Sequence, residues 1–238
     1  MPDKKPIIGI LETGRLPDEL TGKFGDYPSM FVRWLAPMEA EFKVYAILDG
    51  VLPKAPDECD IWLVTGSKFG TYEDHDWIAP LEQFIRDCQD AGQKMIGICF
   101  GHQIIAQALG GLVEKSTKGW GLGVHEYQAT NWPDSFDPLP GGLKMQAVHQ
   151  DQVNRIPQGA RTIARSDFCE NAAIWYPGFA LTFQGHPEMA KEFVRKLIAE
   201  RRGNTFPEII ADSALTTVDE PTTRKALALF VRDNLSKI

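Results

Sequence analysis

The chain has 238 residues, 43% of them apolar and 24% charged. That balance supplies a substantial core and excludes collagen-like, low-complexity and broadly disordered chains. A formal net charge of −7 without a basic cluster argues against phosphate-backbone binding, so no nucleic-acid partner is expected. Apolar runs such as Ile7–Leu11 are far too short to span a bilayer, so no membrane partner is expected either. Met1–Pro6 carries no apolar leader core or small-residue cleavage site, and the cysteines at 59, 88, 99 and 169 lack CxxC spacing. The expectation is a reduced, cytoplasmic protein with no metal, disulfide or cofactor.

Along the chain, short β-rich runs alternate with helical stretches. Ile7–Glu12 reads as a buried strand, and Tyr27 to Met38 as a helix with Met30, Phe31, Trp34, Leu35 and Met38 on one stripe. Phe42–Ile47 and Ile61–Thr65 read as strands, Trp77–Cys88 as an amphipathic helix, Met95–Cys99 as a strand and Gln103–Leu109 as a helix. This order predicts an α/β fold, a mostly parallel central sheet flanked by helices in a flavodoxin-like three-layer sandwich. Past Val113 come short strand candidates at Val124–Ala129, Leu143–His149, Thr162–Ser166, Ala172–Trp175 and Phe179–Phe183, separated by Gly, Pro, Asn and Asp turns. They predict an antiparallel extension of the sheet. Helix returns at Met189–Arg201 and Thr222–Leu235, while Gly203–Glu220 reads as a polar connection with weak helical signal. No repeat or Gly/Ser linker interrupts the chain, so residues 1–238 read as one domain.

The most informative segment is Met95-Ile96-Gly97-Ile98-Cys99-Phe100-Gly101-His102-Gln103. An apolar strand runs through Gly-x-Cys-x-Gly into a helix, the layout of a nucleophile elbow with Cys in the place of Ser. A tight strained turn tolerates only small neighbours, which Gly97 and Gly101 supply. A thiol at a helix N-terminus meets the positive end of the dipole, which favours thiolate. The Phe100 amide has no partner inside the helix and is free to face an oxyanion. Alone, the segment also fits a small buried thiol where a strand meets a helix.

A base decides between these readings. His102 lies one helical turn beyond the cysteine and reads as packing. His75 sits in a charged loop, His125 on a strand, and His149 in Ala147-Val148-His149-Gln150-Asp151 at a candidate pocket edge. His186 stands in Leu181-Thr182-Phe183-Gln184-Gly185-His186-Pro187-Glu188, where an apolar strand ends in imidazole, rigid proline and carboxylate. Pro187 biases His186 to extended geometry, so His186 and Glu188 project to one side and the carboxylate can hold the second ring nitrogen. Cysteine elbow and His-Pro-Glu together point to acyl transfer through a thioester.

On these residues the sequence resembles the class I glutamine amidotransferase family. Gly97–Gln103 is similar to its nucleophile block G-x-C-x-G-x-Q, Gln184–Glu188 to its closing block, and Leu63-Val64-Thr65-Gly66-Ser67 to its oxyanion-strand block. The resemblance implies Cys99 as nucleophile, His186 as general base and acid, Glu188 as its orienter, and the Gly66 and Phe100 amides as oxyanion hole. It implies that Gln103 and His149, Gln150 and Asp151 hold a small-molecule γ-glutamyl substrate. It further implies release of ammonia from glutamine through a γ-glutamyl thioester. Two features depart from the family pattern: Thr65-Gly66-Ser67 stands where many members have Gly-Gly-Pro, and Gly185 where many have Phe. Past Glu200 too little of the sequence remains for an acceptor domain, so a separate ammonia-accepting synthetase is one expected partner. A stand-alone γ-glutamyl peptidase acting on glutathione-type conjugates is the alternative, and a non-catalytic regulatory module on the same fold a third. The glycine-rich Lys118–Gly123 neither follows a clear strand nor opens a helix, as a phosphate loop would.

Overall fold

Alternating side chains along the central strands feed two separate cores. In the run Ile61–Val64, Ile61 and Leu63 join one apolar cluster while Trp62 and Val64 join the other. In the next central strand Ile96 and Ile98 face the first cluster and Met95 the second. A sheet whose strands are buried on both faces must carry helices on both, and that is the observed architecture.

A computed structural model describes residues 5–139 and 141–238; Met1–Lys4, part of the stretch read as lacking a leader, lies outside the described residues. In chain order the elements are β1 (Ile7–Glu12), α1 (Asp18–Phe24), α2 (Tyr27–Trp34), β2 (Glu41–Ala46), β3 (Ile61–Val64), α3 (Ile78–Asp90), β4 (Lys94–Ile98), α4 (Phe100–Ala108), β5 (Leu112–Lys115), β6 (Gly121–Ala129), β7 (Leu143–His149), β8 (Asp151–Arg155), β9 (Arg161–Arg165), β10 (Ala173–Tyr176), β11 (Ala180–Phe183), α5 (Lys191–Arg201), α6 (Glu208–Thr217) and α7 (Arg224–Asn234). The main sheet has nine strands in the order β2-β1-β3-β4-β11-β10-β9-β6-β7. β2, β1, β3, β4 and β11 are mutually parallel. From β11 outward the sheet turns antiparallel through β10, β9, β6 and β7. The parallel half therefore has the flavodoxin-like order, with its ligand crevice expected at the carboxyl ends of the strands.

Packing completes the layers. α2, α5, α6 and α7 contribute Phe31, Phe193, Ala211 and Phe230 to one cluster, and α3 and α4 contribute Phe84 and Ile104 to the other. Pro37 stops the helix predicted to Met38: α2 ends at Trp34 and Ala36–Met38 is a 3-10 turn. Ile47 leaves its predicted strand for a 3-10 turn over Ile47–Asp49. α4 begins at Phe100, directly on the elbow, rather than at Gln103. The stretch read as a polar connection contains α6, whose narrow buried face rests on Ala211 and Ala214 while Ile209 stands 86% exposed. β5 and β8 form a separate two-stranded ribbon that the sequence reading does not anticipate.

Candidate functional site

The elbow is built as its glycines demand. Cys99 has φ 53° and ψ −102°, a positive-φ conformation that a non-glycine side chain adopts only when its surroundings hold it there. Three backbone bonds do so. The Cys99 amide donates to Phe183 O at 2.8 Å, Gln103 N to Cys99 O at 3.0 Å, and Gly101 N to Thr65 O at 3.1 Å. A Cβ at Gly101 would lie 2.2 Å from Val64 O, and one at Gly97 2.6 Å from Gly101 O. Backbone thus occupies the space that side chains would need, and the β4–α4 turn can sit against β3. The Phe100 ring is buried against Trp77 at 5.5 Å, while its amide opens α4 beside the thiol.

The second strand end brings the imidazole. β11 lies parallel to β4 with Phe183 opposite Ile98, so the chain leaving Phe183 passes beside Cys99. Gln184 Nε2 reaches 3.7 Å from the Cys99 sulfur. The His186 amide then donates to Gln146 O of β7 at 2.8 Å. A Cβ at Gly185 would stand 2.9 Å from Met145 Cβ, so β7 leaves room there for glycine alone. His186 Nδ1 and Glu188 Oε1 are 2.7 Å apart, with the carboxylate side chain fully buried. The Cys99 sulfur and the same imidazole line one cleft, and the sulfur acts on the ring electrostatically. Burial alone would push His186 down; the Glu188 carboxylate and the Cys99 sulfur outweigh it and raise its pKa well above the ordinary histidine value.

Two residues with no local signal in the sequence complete this set. Tyr27, at the start of α2, donates its hydroxyl to Glu188 Oε1 at 3.1 Å. Burial, then the charges of Glu188 and Cys99, push that phenol well above its ordinary value, so it stays a donor. Arg224, at the start of α7, donates through Nε to Pro187 O at 2.7 Å and through Nη2 to Glu188 O at 3.3 Å. Distance along the chain hides such pairings: Tyr27 and Glu188 are 161 residues apart.

Gly66 lies where β3 ends, and a Cβ there would fall 2.4 Å from the Tyr27 hydroxyl and 3.1 Å from His186 Cε1. Only glycine fits between the two rings. Thr65 has a structural role: its Oγ1 accepts from Thr13 N at 3.0 Å, and Thr13 Oγ1 donates to Thr65 O at 3.0 Å. This buried pair ties the end of β3 to the end of β1.

Cys99, His186, Gln103, His149, Gln150 and Asp151 line one cleft of about 270 Å³ at the carboxyl ends of the strands. Gln103 Nε2 donates to Asp151 O at 2.8 Å and to Gln184 Oε1 at 3.2 Å, so it fixes the wall beside the thiol. His149 is buried, which drives its pKa down to about 3, and its Nε2 has no hydrogen-bond partner among the described residues. His102 instead bonds Thr182 Oγ1 at 2.8 Å, away from the cleft, as its packing role requires. Cys59, Cys88 and Cys169 are buried, and burial pushes the last two up to about 12. A buried carboxylate, an imidazole and a thiol in sequence can move one proton to and from an incoming group at sulfur.

The architecture is that of glutamine amidotransferases. A glutamine amidotransferase structure from Thermotoga maritima superposes with a TM-score of 0.77 over 98% of this chain and 97% of that one, at 20% identity. A sequence model of the class I glutamine amidotransferase family matches residues 55–200, and the chain belongs to that family. It is 30% identical to γ-glutamyl peptidase 4 of Arabidopsis thaliana over 92% of this chain and 90% of the relative. To one subunit of the glutamine-hydrolysing GMP synthase from Archaeoglobus fulgidus it is 34% identical, over 40% of this chain and 52% of the relative.

Proposed function

We propose that the protein hydrolyses γ-glutamyl amides with Cys99 as nucleophile, His186 as general base and acid, and Glu188 as the group that orients it. The thiol proton rests on His186, whose protonated form Glu188 and the sulfur favour, and sulfur attacks the γ-carbonyl carbon. The oxyanion is received by the amides of Gly66 and Phe100. Collapse breaks the C–N bond, His186 returns the proton to the departing nitrogen, and a γ-glutamyl thioester remains. His186 then takes a proton from water, hydroxide adds to the thioester carbonyl, and glutamate leaves as sulfur is expelled and the ring keeps its proton. Gln103, His149, Gln150 and Asp151 form the wall that takes the glutamyl group, with Gln103 Oε1 available to its ammonium.

The observation that carries this reading is the convergence of Cys99 and His186, 5% and 3% exposed, in one cleft, with the buried Glu188 carboxylate 2.7 Å from His186 Nδ1. The likeness to a γ-glutamyl peptidase along nearly the whole of both chains supports an enzyme working alone. The shorter similarity to the GMP synthase chain supports a second reading, in which glutamine is hydrolysed and ammonia passes to a separate synthetase. A glutamine-mimicking electrophile tests the core of both. One equivalent should label Cys99, with protection by a γ-glutamyl amide; labelling of Cys59, Cys88 or Cys169 at the same rate would refute it.

A further inference from the structure

Beyond Cys99 and His186 the cleft continues along α5. Phe193, Leu197 and Arg201 of that helix line it together with Trp120. Four-residue spacing puts the three on one helix face, and eight residues at 1.5 Å each make a stripe of about 12 Å. The wall is fixed from behind. Phe193 packs edge-on against Phe24 at 5.3 Å, and Trp120 edge-on against Phe206 at 4.9 Å.

At the far end of this apolar stripe stands Arg201. It is half-buried, and burial lowers its pKa from the ordinary arginine value. Among the described residues its guanidinium has no hydrogen-bond acceptor and no ion pair; the adjacent Glu200, whose charge acts on it, is bonded to Lys196 at 2.8 Å. The next residue, Arg202, is by contrast held by Glu208 and Asp212. A partly desolvated guanidinium left without an acceptor, facing a cleft, is a ready site for an anion.

The chemistry fixes which end of a substrate meets this wall. His186 protonates the departing nitrogen, so the leaving group lies on the imidazole's side of the scissile bond. α5 begins at Lys191, just past His186-Pro187-Glu188. We infer that the α5–Trp120 wall is the leaving-group subsite, and that the substrates are γ-glutamyl amides whose amine half is apolar and ends in a carboxylate held by Arg201. An extended leaving group of two residues spans about 7 Å and fits within the stripe; ammonia would leave it unused. This assignment rests on the hydrolase reading above and narrows it to γ-glutamyl peptides.

The test compares γ-glutamyl-phenylalanyl-glycine with γ-glutamyl-phenylalanine methylamide, which differ only in the carboxylate. The native protein should favour the acid in kcat/KM by about tenfold or more, mainly through KM. The preference should fall to near unity in Arg201→Gln and recover in part in Arg201→Lys. Free phenylalanyl-glycine should compete with either substrate in the native protein, a readout independent of how any variant folds. An equal preference in native protein and Arg201→Gln, or none in the native protein, overturns the subsite while leaving the hydrolase standing. Failure of both compounds to acylate Cys99 overturns the hydrolase reading and the subsite with it.

Discussion

The two halves of the sheet serve the cleft by different means. In the parallel half, β3 and β4 end at the cleft edge and deliver Gly66 and Cys99 through turns of a few residues. In the antiparallel half, β7 acts on backbone: Gln146 O takes the His186 amide and Met145 fills the space beside Gly185. α7 adds a grip on the carbonyls of Pro187 and Glu188 through Arg224. The comparison separates two tasks. Reactive groups come from short motifs at strand ends, whereas the position of the imidazole depends on residues far away in sequence.

Substitutions sort along that division. The largest effect belongs to the parallel half: Cys99→Ala should lower γ-glutamyl hydrolysis by roughly 10⁴-fold or more with an unchanged far-ultraviolet dichroism spectrum. Retention of native turnover would break the proposed division of labour at once. Glu188→Gln keeps the shape of the side chain but removes the charge facing His186, and should cost on the order of 10²-fold in kcat. Glycines supply the next contrast, read in stability. Gly101→Ala sets a Cβ against rigid backbone at 2.2 Å, whereas Gly185→Ala meets the Met145 side chain at 2.9 Å. Denaturant titration should show a loss of about 3 kcal/mol for the first and about 1 kcal/mol for the second. Equal losses would mean that the two halves are packed alike at the cleft.

The smallest effect near neutral pH concerns the buried histidines. His102 and His149 are pushed down to about 3 by burial, below the ordinary value of about 6.5 that they recover on unfolding. Between these values the unfolded chain binds protons that the fold refuses, so stability falls as pH drops, by up to about 1.4 kcal/mol per pH unit for each. His186 runs the other way. Its raised value means that its contribution is complete below about pH 6.5 and is lost as pH rises through the folded value. His149→Gln should therefore flatten the decline of the denaturation midpoint between about pH 6 and pH 4; a slope equal to that of native protein would contradict a neutral buried imidazole.

How much the sequence disclosed follows the same line. The elbow was legible because its requirements are local: Gly97, Cys99 and Gly101 lie within one turn, and the steric reason for each glycine is met by its near neighbours. β1, β3 and β4 were legible because strands buried on both faces read as continuous apolar runs. α6 was not, since only Ala211 and Ala214 of it are fully buried and Ile209 faces outward. β5 and β8 form a half-exposed ribbon whose polar residues imitate a loop. The Tyr27 and Arg224 contacts were illegible in principle, because nothing near either residue announces a partner across the fold. Arg201 is the intermediate case. Its spacing from Phe193 and Leu197 can be read in the sequence, but its lack of an acceptor can be known only once the neighbouring side chains have positions.

The central claim is that a γ-glutamyl group is carried on Cys99 during turnover. Acid-quenching the native protein with a γ-glutamyl amide, followed by peptide mass analysis, tests it most directly. The account predicts a base-labile gain of one γ-glutamyl group on the peptide containing Cys99, accumulating in Glu188→Gln and absent in Cys99→Ala. Steady product release with no acylated peptide at any quench time, or acylation of a different cysteine, would contradict it.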